Sequence, residues 1–290
     1  MAILMDGKVI AQEIQAELLN KIKAKLKAGW RQPHLVVFLI GGNAASQIYV
    51  NHKIKVCEAL KIKVSLKSFD DNIKESSLLA MINQANNDDT VDGILIQLPL
   101  PRNFNKAKIL ASISANKDVD GLNYCNAGKL FHGLKTIPPC TAAAVIAMLD
   151  WYHIFLENKT VTMIGTSNLV GKPLAMMLLE RKATVTMCNE NTIDIAFHSN
   201  SSDIVISAVG VGNLITRNMV KPNAIVIDIG FVYDALSKEV SGDVEFDEVE
   251  SKASYITPVP RGVGPVTIAM LVKNIYELYI DNCQKKLAKE

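Results

Sequence analysis

The 290-residue sequence predicts an α/β protein of two domains, each a parallel sheet covered by helices. Three observations carry this reading. Strand-length apolar runs alternate with helix-length amphipathic segments over residues 34–114, and the alternation resumes over residues 141–230. Between the two series, residues 117–139 are loop-like and rich in Asn, Gly and Pro. The chain is also long enough to divide its apolar residues between two cores.

The elements follow in order. Residues 6–28 place Ile10, Ile14, Leu18, Ile22 and Leu26 on one stripe of a long amphipathic helix, closed by Gly29. Strand 34–40 leads to a helix that begins near Ser46, strand 63–69 to helix 75–86, and strand 91–98 to helix 105–114. In the second series, helix 141–153 precedes strands 161–165, 183–188, 203–209 and 224–230. A last helical pattern, 268–287, is long enough to cross back to the first domain. The predicted division is therefore 1–139, completed by 268–290, and 140–267.

Composition narrows the function. Apolar residues make up 49% of the chain and charged residues 21%, as in an ordinary soluble enzyme. A net charge of +2 supplies no strong field for nucleic acid or a membrane surface. The lysine-rich stretches 21–27 and 285–289 read as solvated helix faces. Five scattered cysteines (Cys57, Cys125, Cys140, Cys188, Cys283) suit a reducing compartment better than a disulfide framework. The histidines show no ligand spacing, so no metal is predicted. The N-terminus turns polar at Asp6-Gly7-Lys8, too early for a signal peptide, and no run has the length of a membrane span. A cytoplasmic location is expected.

Two stretches carry chemistry on their own terms. After the apolar run 35–40, Gly41-Gly42 breaks the strand, and Ser46, Tyr49, Lys53 and Cys57 then share one helical face. An aromatic hydroxyl and an amine thus stand one turn apart beyond a strand's carboxyl end, where open α/β sheets place ligands. A Tyr-x-x-x-Lys pair also serves short-chain dehydrogenases, but there it follows the dinucleotide fingerprint and here it precedes it. For the stripe alone, a surface helix with Tyr packed down and Lys solvated is the favoured reading.

The second stretch, residues 160–179, runs strand, glycine-punctuated turn, helix. Gly165 would permit the tight turn, Gly171 would let the helix approach the sheet, and free N–H groups at the helix start would receive a pyrophosphate. This predicts a Rossmann-like dinucleotide-binding domain. The spacing departs from G-x-G-x-x-G, so an α/β turn without phosphate stays open. Glu190, at the end of the next strand, stands where an acidic residue grips adenosine ribose hydroxyls. A carboxylate there repels a 2′-phosphate and favours NAD over NADP. An exposed loop glutamate without a ligand is the alternative.

Four further stretches are Asp92-Gly93-Ile94-Leu95-Ile96-Gln97-Leu98-Pro99-Leu100-Pro101, Lys117-Asp118-Val119-Asp120-Gly121, Pro139-Cys140-Thr141 and Pro258-Val259-Pro260-Arg261-Gly262-Val263-Gly264-Pro265-Val266-Thr267. With the Ser46–Cys57 face and the Gly165–Pro173 turn, they make the sequence resemble the bifunctional methylenetetrahydrofolate dehydrogenase/cyclohydrolase family over nearly its whole length. The resemblance implies an N-terminal αβα catalytic domain, a Rossmann-like domain, a folate cleft between them and a homodimer. It implies oxidation of 5,10-methylenetetrahydrofolate to the methenyl cation and hydrolysis of that cation to 10-formyltetrahydrofolate, a supply for purine biosynthesis.

By the same resemblance, Lys53 is the proton-handling residue of the hydrolysis, helped by burial and a cationic substrate that favour its neutral amine. Gln97 orients Lys53, Tyr49 stacks on the aminobenzoyl ring, and Asp120 accepts hydrogen bonds from the pterin. Ser46, Leu98, Pro260, Gly262 and Val263 complete the folate contacts. Gly165, Thr166, Ser167, Val170, Gly171, Pro173, Glu190, Gly210, Phe231 and Thr267 hold the cofactor. That cofactor is NADP in most of the family, with NAD favoured here by Glu190 and by Thr166 in place of a common Arg. Cys57 and Cys140 are expected to pack only.

The sequence also departs from the family's pattern elsewhere. Arg261 replaces a glycine, which implies either backbone strain at positive φ or a charge offered to a phosphate or the folate tail. Asn123 replaces a frequent His, and Ala142 and Ala144 replace Pro and Gly; these changes bear on how helices start. Three competing readings carry less. A dehydrogenase alone would not need Lys53. A shikimate-type or amino-acid dehydrogenase leaves residues 258–267 without a role. A non-enzymatic binding protein would be expected to lose the set Tyr49, Lys53, Gln97 and Asp120.

Overall fold

In the computed structural model the described residues are 1–233 and 240–287, so the last two residues of the lysine-rich stretch 285–289 lie outside them. The chain divides into two compact units, one of residues 1–12 and 141–270, the other of residues 13–140 and 271–290.

The chain begins with β1 (Ile3–Leu4) and α1 (Gly7–Lys27). Ile10, Leu18 and Ile22 of the predicted stripe are fully buried, while Ile14 and Leu26 are half-buried. Three β-then-α units follow: β2 (His34–Ile40) with α2 (Ala44–Ala59), β3 (Lys63–Phe69) with α3 (Glu75–Asn87), and β4 (Gly93–Ile96) with α4 (Lys106–Ser112). The strands pair in parallel in the order β3-β2-β4. Central β2 is buried at every position, which is why it reads as a continuous apolar run instead of alternating. Val36, Phe38 and Ile40 pack on one face against Leu78 and Ile82 of α3 and Ile109 of α4. Edge strand β3 exposes Lys63 and Lys67, charges that discourage further pairing.

Strand β4 is shorter than predicted. Its last predicted residues, Gln97 and Leu98, run into the cis Leu98–Pro99 bond, and proline offers no N–H to a ladder. Within the predicted loop, α5 (Tyr124–Phe131) forms instead of coil. Asn123 caps it by accepting from the Cys125 N–H, and the Asn123 N–H donates to buried Asp118.

The second series opens with α6 (Cys140–Trp151), in which Ala142 and Ala144 are fully buried. Then come β5 (Thr160–Ile164), α7 (Gly171–Glu180), β6 (Thr184–Cys188), α8 (Ile195–Ser199), β7 (Ile204–Ser207) and β8 (Ile225–Asp228). A short antiparallel pair, β9 (Val232–Tyr233) and β10 (Val240–Ser241), precedes α9 (Phe246–Glu250) and β11 (Tyr255–Ile256). The last helix, α10 (Val263–Leu287), starts five residues before its predicted beginning and passes from one unit into the other. The six-stranded sheet is parallel throughout, in the order β1-β11-β8-β7-β5-β6.

Two differences from the sequence expectation have one cause. Strands β1 and β11 are two residues long, too short to show a period, and they pair with each other across some 250 residues of sequence. That pairing places residues 1–12 in the unit of residues 141–270, whereas the sequence grouped them with the folate-side domain.

Asp203, just before β7, ties three segments together. It accepts from the Lys221 ammonium at 2.6 Å and from the Thr160 N–H and hydroxyl at 2.8 and 3.0 Å. Lys221 first, and the Thr160 N–H second, hold its carboxyl at about 2, below the ordinary 3.8. Because the folded value lies below the unfolded one, this stabilisation is complete above pH 4 and lost as pH falls through about 2. Asp203→Asn is expected to lower stability at pH 7 by about 1 kcal/mol, allowing for solvent screening, and to flatten the acid limb between pH 4 and pH 2. Urea unfolding as a function of pH checks both.

Candidate active site

In the smaller sheet β2 lies between β3 and β4, so the segments leaving β2 and β4 go to opposite sides of a topological switch point. Helix α2 leaves β2 through Gly41-Gly42, with Asn43 capping it by accepting from the Ser46 N–H at 2.9 Å. Lys53 sits on this helix and is only 8% exposed. Its Nζ donates to Gln97 Oε1 at 3.1 Å, and Gln97 leaves the end of β4. Gln97 Nε2 in turn donates to the Leu98 carbonyl at 2.6 Å, which fixes which end of the amide faces the lysine. The ammonium also lies over the Tyr49 ring, 4.6 Å from its centroid.

Tyr49 is 37% exposed, so part of its ring is open to a stacking partner. Burial of the hydroxyl, and secondarily the charge of Asp120, push its phenol well above the ordinary value. It stays a neutral donor at physiological pH. Ser46 is buried on the same helix, and Asp120 is half-buried.

The structure adds two residues around Asp120. Cys140, expected only to pack, has its Sγ 3.4 Å from Asp120 Oδ1 and 3.4 Å from the Val119 carbonyl. Burial first, then Asp120, push its thiol far above the ordinary range, so it remains protonated and donates. Asn274 of α10 is 3% exposed and donates to the Val119 and Pro138 carbonyls at 2.9 and 3.0 Å. The sequence signal for Asn274 was an amide following the apolar first turns of α10. Cys57 is fully buried, its thiol pushed up to about 12 by burial, and it packs as expected.

Of the remaining residues expected at the folate, Pro260 is exposed and Gly262 and Val263 are buried, on the loop from β11 into α10. Arg261 answers its own question in part. Its φ is 86°, so the residue carries about 1–2 kcal/mol of left-handed strain. Its guanidinium pairs with Asp6, and its carbonyl accepts the Gly7 N–H at 2.9 Å. The charge is therefore engaged within its own unit.

The glycine turn between β5 and α7 has the expected geometry. Gly165 has φ 110°, and a Cβ added at Gly171 would lie 1.9 Å from the Gly165 carbonyl oxygen. Only glycine allows that approach. The helix start offers fewer donors than expected. The Lys172 N–H already donates to the Ser167 carbonyl, Pro173 carries none, and the Val170 N–H donates to the Ser167 hydroxyl at 3.2 Å. Thr166 is half-buried beside this turn, and Glu190 is exposed two residues after β6. Gly210, at φ 72°, and Phe231, 64% exposed, follow β7 and β8. The Thr267 hydroxyl turns back to the Val263 carbonyl at 3.2 Å. Among the described residues, no group of three or more His, Cys, Asp or Glu converges on a metal position, and no helix is long and apolar enough to cross a membrane.

The catalytic-domain model of tetrahydrofolate dehydrogenase/cyclohydrolase matches residues 5–120, and the NAD(P)-binding-domain model of the same enzymes matches residues 139–283. The chain belongs to the tetrahydrofolate dehydrogenase/cyclohydrolase family. Within that family it is 47% identical to a bifunctional protein FolD of Mesoplasma florum over 98% of this chain and 99% of the relative. The bifunctional FolD of Campylobacter jejuni superposes with a TM-score of 0.94 at 44% identity, covering 97% of this chain and 99% of that one. A Trypanosoma brucei FolD complexed with NADP and an inhibitor gives a TM-score of 0.92 at 34% identity, covering 97% and 98%. The catalytic-domain match contains strands β2 to β4, and the NAD(P)-binding-domain match contains strands β5 to β11.

Asn274→Ala is expected to leave the Pro138 carbonyl unpaired, and the Val119 carbonyl with the Cys140 thiol as its donor, and to cost about 1–3 kcal/mol. Denaturant unfolding measures it. A change below about 0.5 kcal/mol would show that the amide holds nothing.

Proposed function

We propose that this chain oxidises 5,10-methylenetetrahydrofolate to the 5,10-methenyl cation and then hydrolyses that cation to 10-formyltetrahydrofolate. The observation that carries the reading is the buried hydrogen bond from Lys53 to Gln97, with Tyr49 beneath the ammonium. Hydride transfer by itself has no use for that amine; addition of water to a cation does.

The cofactor supplies the hydride acceptor when bound. Gly165 and Gly171 suit it, because a side chain at either would collide with neighbouring backbone and force the turn between β5 and α7 apart. Gly165, Thr166, Ser167, Val170, Gly171, Pro173, Gly210, Phe231 and Thr267 are the residues assigned to hold it. Loss of hydride leaves a charge shared by two folate nitrogens, so this step asks the protein for alignment and not for a base. Tyr49 stacks on the aminobenzoyl ring, Asp120 accepts from the pterin's N–H donors, and Ser46, Leu98, Pro260, Gly262 and Val263 bound the substrate.

In the second step water attacks the methenyl carbon, the ring C–N bond opens, and one proton is released overall. Lys53 takes and returns the proton at Nζ. Gln97 Oε1 fixes the direction of that amine.

Glu190 is assigned to the adenosine ribose hydroxyls, which favours NAD over NADP. Its exposed position after β6 is compatible with that contact, and Thr166 brings no cation for a 2′-phosphate. The homodimeric state, the cytoplasmic location, the supply of formyl groups to purine biosynthesis and independence of metal, nucleic acid and membrane are extended to this chain on kinship.

Lys53→Met is expected to reduce hydrolysis of methenyltetrahydrofolate at least 100-fold while hydride transfer stays measurable. Equal retention of both activities refutes the role. Glu190→Ser is expected to raise the NADP-to-NAD ratio of kcat/KM about tenfold, roughly the effect of removing one repulsive charge. An unchanged ratio removes Glu190 from cofactor choice.

A further inference from the structure

Two buried aspartates stand at the carboxyl ends of the large sheet, and neither has a part in the chemistry above. Asp243 is fully buried just after β10. Its Oδ2 accepts from the Ser207 hydroxyl at 2.7 Å and the Val209 N–H at 2.8 Å, and its Oδ1 accepts from the Val211 N–H at 2.9 Å. Those three donors flank Ala208 and Gly210, on the loop that leaves β7. Asp228, at the end of β8, braces this arrangement from behind. Its Oδ1 accepts from the Asp243 and Gly230 N–H groups at 3.0 and 2.8 Å, and its Oδ2 accepts from the Val244 N–H at 2.9 Å.

The held loop lies at the switch point of its sheet. The order β7-β5-β6 puts the departures from β5 and β7 side by side, and a Cβ on Gly165 would lie 2.6 Å from the Ala208 carbonyl oxygen. Gly210 holds φ 72°, and a side chain there would meet nothing within 4 Å, so its backbone faces open space. A surface loop has no need of a buried carboxylate that takes two of its N–H groups. A loop whose backbone must present a fixed outline to a ligand does.

We propose that Asp243 is a positioning residue for the nicotinamide cofactor, setting the shape of residues 208–211 opposite the Gly165 turn without touching the cofactor itself. This rests on the assignment of Gly165 and Gly210 to the cofactor. Two independent activities in one chain make the test direct, because Lys53 and Gln97, which serve hydrolysis, belong to the other unit. In Asp243→Asn an NH₂ replaces one acceptor, so at least one loop N–H loses its partner. The KM for NAD or NADP, whichever the unsubstituted enzyme uses better, is expected to rise at least tenfold. The hydrolysis rate on preformed methenyltetrahydrofolate should stay within twofold.

Ser207→Ala, which removes one hydroxyl donor and leaves both N–H bonds, should raise the same KM by a smaller factor, again with hydrolysis unchanged. If Asp243→Asn fails to fold, this second variant decides. Cofactor KM at the unsubstituted value in the folded variants overturns the proposal. So does loss of both activities in parallel, which would mark Asp243 as structural only. An unsubstituted enzyme that hydrolyses the methenyl compound but saturates with neither cofactor would overturn the cofactor assignment itself, and this proposal with it.

Discussion

Because β2 and β4 run parallel and side by side, the segments leaving their carboxyl ends start from one place, and this sets the Lys53 ammonium 3.1 Å from the Gln97 carbonyl oxygen. The dependence extends outward from that pair. A nearly buried ammonium is tolerable only if its donors find acceptors, and Gln97 supplies one because its own amide is pinned to the Leu98 carbonyl. The aromatic face of Tyr49 supplies further stabilisation without competing for a proton. The Ile94–Asp118 bridge then places Asp120 beyond the same strand end. A shift of β4 by one residue would turn its side chains to the opposite face and dissolve the site.

The larger sheet solves a related problem with backbone instead of side chains. Gly171 and Gly165 approach so closely that no Cβ fits, and the Gly165 turn in turn nears the Ala208 carbonyl. Backbone brought this close must be held, since loops lose order wherever their polar groups lack partners. Asp243 and Asp228 provide the partners from within the protein. The arrangement has an electrostatic cost. Burial first, with the charge of Asp243 contributing, raises the Asp228 carboxyl to about 6, although three N–H donors act against the rise. Such a raised value means that Asp228 weakens the fold as pH climbs from about 4 through about 6 and has no further effect above.

Neutral groups surround the folate-side residues. Tyr49 and Cys140 both keep their protons because burial disfavours their anions, and both lie within the influence of Asp120. Around them stand the carboxyl groups of Asp118 and Asp120 and the Lys53 amine, each with a hydrogen-bond partner that fixes its direction. A site for a substrate that becomes a cation profits from few competing charges. Arg261 fits the same pattern. It sits at positive φ, and its charge is engaged by Asp6 within its own unit.

Much of this was legible in the order of residues. Strands β2 and β3 are bounded as predicted, since each is one apolar or alternating run stopped by turn residues, and the face Ser46, Tyr49, Lys53 follows from helical spacing alone. The glycine turn is a local signal too, because a positive φ and a close approach each demand glycine at a particular residue. Strands β1 and β11, helix α5 and the ties made by Asn274, Cys140 and Asp243 were not legible. Two-residue strands carry no period, and a side chain's partner far along the chain leaves no mark in its neighbours. The sequence by itself determined which residues share the helical face of Lys53 and which turns require glycine. Only the tertiary structure decided what holds them in place, because hydrogen bonds across a sheet depend on which strands lie adjacent and not on which follow one another.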